Sequence, residues 1–60
     1  MKERFELIVC EVEKGMLTKG KVYLPYRWID GEAVIIFDDK GEQCELFSGE
    51  YTVRDLYRAA

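Results

Sequence analysis

The 60-residue chain contains no histidine, one serine and one proline, and neither of its two cysteines belongs to a CxxC pair. Without histidine the commonest general base is missing, Ser48 has no imidazole to activate it, and no base accompanies Cys10 or Cys44. No glycine-rich phosphate loop of the P-loop or dinucleotide type occurs. Carboxylates are plentiful, yet a domain this short rarely encloses a pocket that would tune a pair of them for acid–base work. We therefore assign no catalytic residues and expect a protein that is not an enzyme.

Metal chemistry lacks parts as well. Two distant cysteines supply half the ligands of a structural zinc site. Asp38, Lys40 and Glu42 have the spacing of a calcium loop, but a lysine stands where an oxygen ligand is required. No metal and no cofactor are expected. No apolar run approaches the roughly 20 residues that cross a bilayer as a helix. Glu3, Glu6, Glu11 and Glu13 break up the N-terminal segment where a signal peptide would need its apolar core. The expectation is a cytoplasmic protein without a membrane partner, its cysteines serving as small buried hydrophobes.

What the chain does have is apolar and aromatic content. At 48% hydrophobic and 13% aromatic residues it is too apolar to stay disordered, and its length allows one small domain over residues 1–60. Turn signals at Glu13-Lys14-Gly15, Ile29-Asp30-Gly31, Asp39-Lys40-Gly41 and Ser48-Gly49 separate β-branched and aromatic runs, the rhythm of a small all-β domain. Pro25 interrupts what is otherwise a strand pattern.

Register follows from the turns. A three-residue loop at Asp39-Lys40-Gly41 pairs residues 38 with 42, 36 with 44 and 34 with 46, putting Val34, Ile36, Cys44 and Leu46 on one face. A two-residue Lys40-Gly41 loop would force Lys40 to positive φ. At Ile29-Asp30-Gly31 two readings stand. A three-residue loop pairs 28 with 32, 26 with 34 and 24 with 36, and brings Val22, Leu24 and Tyr26 to the core face. A two-residue Asp30-Gly31 turn of type I′ is the better local signal, but sets Leu24, Tyr26 and Trp28 beside Ile35 and Phe37. The first gives a single consistent core.

Val34–Phe37 is apolar on both faces, so something covers its second side: a curled barrel, a C-terminal helix or a partner. Thr52 and Asp55 resemble a capping box, with Val53, Leu56, Tyr57 and Ala60 on one helical face. The competing reading is a last strand over residues 51–56. The fold class expected is a small SH3-like barrel or strongly bent antiparallel sheet of about five strands, with or without a short C-terminal helix.

Charge is segregated. Lys14, Lys19, Lys21 and Arg27 stand in residues 14–29 without an acid, and Asp30, Glu32, Asp38, Asp39, Glu42, Glu45 and Glu50 face only Lys40 in residues 30–50. Single-strand binders combine a positive groove with aromatic platforms, and Lys19, Lys21, Tyr23, Tyr26, Arg27 and Trp28 are of the right types. Strand alternation splits them between two faces, however, and the net charge of −3 disfavours nucleic acid. In the preferred register Tyr23, Arg27, Ile35, Phe37 and Phe47 project from the non-core face, flanked by Gln43 and Glu45. Aromatics and arginine with a polar rim are what interface centres are made of. Trp28 is a further anchor, and Asp38, Asp39, Glu42, Glu45 and Glu50 could occupy a basic groove in the manner of nucleic acid.

The stretch Leu17-Thr18-Lys19-Gly20-Lys21-Val22-Tyr23, followed by a strand, a turn and Ile36-Phe37-Asp38-Asp39-Lys40-Gly41-Glu42, resembles small uncharacterised SH3-like proteins of bacteriophages and prophages. The resemblance covers about residues 5–53 and describes a fold more than an activity. It implies a barrel, and a modulator or inhibitor that attaches to a host protein in the host cytoplasm. It supplies no functional residues. The other readings are a weak single-stranded nucleic-acid binder and a homodimer joined through an exposed strand edge.

Overall fold

The structure is a computed structural model and describes residues 2–59. Six strands and no helix make up the described chain: β1 Lys2–Cys10, β2 Val22–Tyr23, β3 Arg27–Ile29, β4 Ala33–Phe37, β5 Gln43–Leu46 and β6 Tyr51–Ala59. They form two antiparallel three-stranded sheets, sheet A in the order β2-β1-β6 and sheet B in the order β3-β4-β5.

Sheet B follows the alternation of its sequence. Val34 pairs with Leu46 and Ile36 with Cys44, the register expected from the Asp39-Lys40-Gly41 loop, and Asp38 donates its N–H to Glu42 as the ladder closes. Val34, Ile36 and Leu46 are fully buried. Sheet A faces them with Ile8, Cys10 and Tyr23, and Leu17 of the long β1–β2 connection fills the end of the same core, with Val12, Cys44 and Tyr51 packed around it. Both cysteines are free thiols, and burial pushes the Cys44 thiol up.

The Ile29–Ala33 connection departs from both readings. Asp30 and Gly31 have φ of 50° and 72°, and Glu32 donates to the Ile29 carbonyl at 3.2 Å, the type I′ geometry that an Asp-Gly pair favours. Glu32 is then an extra residue in the loop, so Ile29 pairs with Ala33, Trp28 with Val34 and Arg27 with Ile35. The expected partners 28–32, 26–34 and 24–36 are therefore two residues out, although the parity is retained and Trp28 shares the inner face with Val34.

The largest correction concerns residues 22–26. Val22, Leu24 and Tyr26 were expected in the core and Tyr23 outside it; instead Tyr23 is 7% exposed, and Leu24 and Tyr26 are 71% and 59% exposed. The cause is a change of sheet. Val22 and Tyr23 pair with β1, where Tyr23 lies opposite the buried Ile8 and must point inward with it. The chain then leaves sheet A at Pro25, which has no N–H for a ladder, and joins sheet B as β3. One expected strand thus becomes two, and about five strands become six.

The C-terminal helix is not formed. Residues 51–59 pair with β1 along all nine positions, from Cys10 with Tyr51 to Lys2 with Ala59. Ladder bonds along this length outweigh the weak helix signal of a segment too short to be helical by itself. Ala60 lies outside the described residues. Nine-residue strands span about 30 Å, so the β1–β6 ribbon accounts for most of the 38 Å long axis.

Candidate functional site

Beyond the core, the richest exposed grouping lies on the outer face of sheet B. Arg27 pairs with Ile35 and Ile35 with Glu45, so a cation, an aliphatic side chain and an anion stand in one row across three strands. In the next row Phe37 pairs with Gln43. Tyr26 closes the group: its ring meets that of Phe37 edge-on, centroids 4.8 Å apart, although Phe37 remains 42% exposed. The Tyr26 N–H donates to the Ile35 carbonyl at 2.8 Å, tying the approach to β3 against β4 and fixing the ring beside Phe37. Among the described residues no ion pair engages Arg27 or Glu45, so both charges are available at the two sides of the patch. No pocket opens among the described residues, and this surface offers contact without enclosure.

Of the anticipated interface residues, the fold brings together Arg27, Ile35, Phe37 and Glu45. It disperses the rest. Trp28 turns to the inner face, where it meets Tyr51 edge-on at 5.9 Å and helps close β3 against β6. Phe47 lies past the end of β5 under the Lys14 ammonium, 4.9 Å from the ring centroid. Tyr23 is the clearest displacement: its hydroxyl donates to Asp39 at 3.1 Å and accepts the Thr18 N–H at 2.8 Å, so it joins the β1–β2 connection to the β4–β5 turn. Tyr26, expected on the core face in the preferred register, lies instead beside Phe37, the neighbour that the two-residue Asp30-Gly31 reading gave it, and the sheet change at Pro25 is what leaves it exposed there.

The acidic residues divide between structural and free. One oxygen of Asp38 accepts the N–H groups of Lys40 and Glu42, both at 2.9 Å, and shapes its own turn. Asp39 accepts from Lys21, Thr18 and Tyr23. The Lys21 hydrogen bond, seconded by Thr18, holds the Asp39 carboxyl below its ordinary range, and the same contact raises Lys21. Glu50 accepts the Phe47 N–H and an ion pair from Lys14, and is lowered by them in that order. Glu42 and Glu45, like Asp30 and Glu32, have side-chain oxygens without a partner among the described residues. Nor do the aromatics and bases form a strip: Tyr26 and Arg27 face outward, Trp28 inward, and Lys21 is committed to Asp39.

The fold and this face define a small all-β protein of two packed three-stranded sheets with an exposed aromatic and aliphatic patch between opposite charges. Compared with known proteins, the chain matches no family model, and no curated protein or solved structure is significantly similar to it. No helix of the described chain is long and apolar enough to cross a membrane.

Proposed function

We propose that the chain is a non-catalytic protein-binding module whose contact surface is the outer face of sheet B. Tyr26, Ile35 and Phe37 form its apolar centre, with Arg27 on one side and Glu45 and Gln43 on the other. The observation that carries this reading is the exposed Tyr26–Phe37 pair. Two aromatic rings held edge-to-face on a rigid sheet present apolar area already ordered, which lowers the entropy lost when a partner closes over them. The corner at Pro25, where the chain passes directly from β2 of sheet A to β3 of sheet B, supports reading the two sheets as an SH3-like barrel. The resemblance to phage and prophage proteins supports reading the partner as a host protein whose activity the module alters. An acidic surface imitating nucleic acid takes a smaller part, because Asp38, Asp39 and Glu50 are already bonded within the chain.

Affinity capture tests the proposal: immobilised protein is exposed to bacterial lysate with and without nuclease, beside an Ile35→Ser/Phe37→Ser variant with unchanged circular dichroism. One stoichiometric protein, resistant to nuclease and lost from the variant, is the expected outcome. Retention of nucleic acid alone, or capture indifferent to the double substitution, overturns it.

A further inference from the structure

On one edge β1 is paired along its whole length by β6, but on the other β2 meets only Ile8 and Val9. Lys2–Leu7 therefore present an edge that no strand covers among the described residues. Cys10 donates its N–H to Lys21 on the β2 side, whereas Glu11 donates to Glu50 on the β6 side. By the alternation of a strand, the N–H and C=O groups of Lys2, Arg4 and Glu6 face the open edge, and those of Glu3, Phe5 and Leu7 face β6.

We infer that this edge pairs with the same edge of a second copy, antiparallel about a two-fold axis at Phe5. Only even-numbered residues offer backbone groups there, so the axis must pass through a residue rather than between two. Centring on Glu3, Arg4 or Glu6 sets a charge against its own copy, which is unfavourable. Centring on Phe5 sets Arg4 against Glu6 of the other chain twice, each a pair that exchanges both backbone hydrogen bonds. Phe5 then meets Phe5 in the pair without backbone bonds, where side chains approach most closely. The paired stretch ends at Leu7, because β2 occupies this edge from Ile8 onward.

The charges of the single chain point the same way. Glu6 lies directly opposite Asp55 in the β1–β6 ladder, a like-charged pair that Arg4 alone serves, 3.3 Å from one and 3.8 Å from the other. A second Arg4 opposite Glu6 supplies the missing cation. On the other face of the ribbon, Phe5 and its ladder partner Leu56 are both exposed, and pairing makes them a continuous four-residue apolar row, Leu56–Phe5–Phe5–Leu56. The outer edge of β6 carries no such complementarity. Registers centred on Arg54 or Asp55 oppose like charges directly, and one centred on Leu56 sets Arg54 against Arg58. The result is an isologous dimer through β1 that leaves the outer face of sheet B open.

Light scattering coupled to gel filtration on the full chain, over a concentration series, tests the inference. The mass is expected to rise from monomer toward dimer. Arg4→Glu should raise the dissociation constant about tenfold or more by creating two like-charged pairs, and Arg4→Glu/Glu6→Arg should restore it. Under mild oxidation Phe5→Cys should give a covalent dimer and Arg4→Cys should not. A wild-type chain that stays monomeric throughout, a dimer indifferent to Arg4→Glu, or cross-linking through position 4 in preference to position 5 overturns the inference. Should Arg4→Glu fail to fold, the cross-linking pair decides.

Discussion

Ile35 and Ile36 are the same side chain at consecutive positions of β4, one on the outer face of sheet B and one in the core, and replacing each with threonine separates the two roles. Ile36 is fully buried opposite Cys44. Ile36→Thr removes a buried carbon at a cost of about 1 kcal/mol and buries a hydroxyl. An unpartnered hydroxyl there adds about 2 kcal/mol. The sum, about 3 kcal/mol, is comparable with the total of about 3–5 kcal/mol that one core of this size supplies, so the variant should be largely unfolded at ambient temperature. Ile35 is half-buried and faces outward between Arg27 and Glu45. There the hydroxyl stays hydrated and threonine suits a strand, so the loss should be about 0.5 kcal/mol. In thermal melts followed by circular dichroism, Ile35→Thr should lower Tm by about 2–4 °C, while Ile36→Thr shows little or no folded baseline. Equal losses at the two positions would refute the reasoning, because the outer face of sheet B would then be covered and could not serve as a binding surface.

The Lys21–Asp39–Tyr23–Thr18 cluster predicts a pH dependence. Asp39 is depressed in the folded chain, so its contribution is present above the ordinary aspartate value, about 3.9, and is lost as pH falls through the folded value. Lys21 is raised, so its contribution is present below its ordinary value and lost only as strongly alkaline pH passes the folded one. Melts of Asp39→Asn should fall below wild type at neutral pH and converge with it in acid; a gap that persists undiminished at low pH would sink the assignment. Asp30 at φ 50° is the other local test. Asp30→Val, β-branched in the left-handed region, should cost about 1–2 kcal/mol by urea titration, while Asp30→Gly should be neutral or better; equal stability of the two would mean that the turn does not require positive φ.

The sequence alone determined the all-β class, the β4–β5 hairpin with its register, and the inward set Val34, Ile36, Cys44 and Leu46, because these rest on period-2 alternation and on a turn whose glycine fixes the count. Ile35, Phe37 and Glu45 could be placed together on one face for the same reason, and Arg27 joins them although the pairing expected across its own turn is two residues out, because the shift keeps the parity. Only the tertiary structure decided which sheet each half of the Val22–Ile29 segment joins. Alternation assigns faces relative to a neighbour, and at Pro25 the neighbour changes from β1 to β4, so Tyr23 turned inward and Tyr26 came to lie on Phe37. The C-terminus had the same ambiguity: VRDLYRA carries apolar residues at both helical and strand spacing, and the open ladder of β1, at the opposite end of the sequence, settled it as β6. Local patterns fix what a segment can be; the partner it finds across the chain fixes what it is.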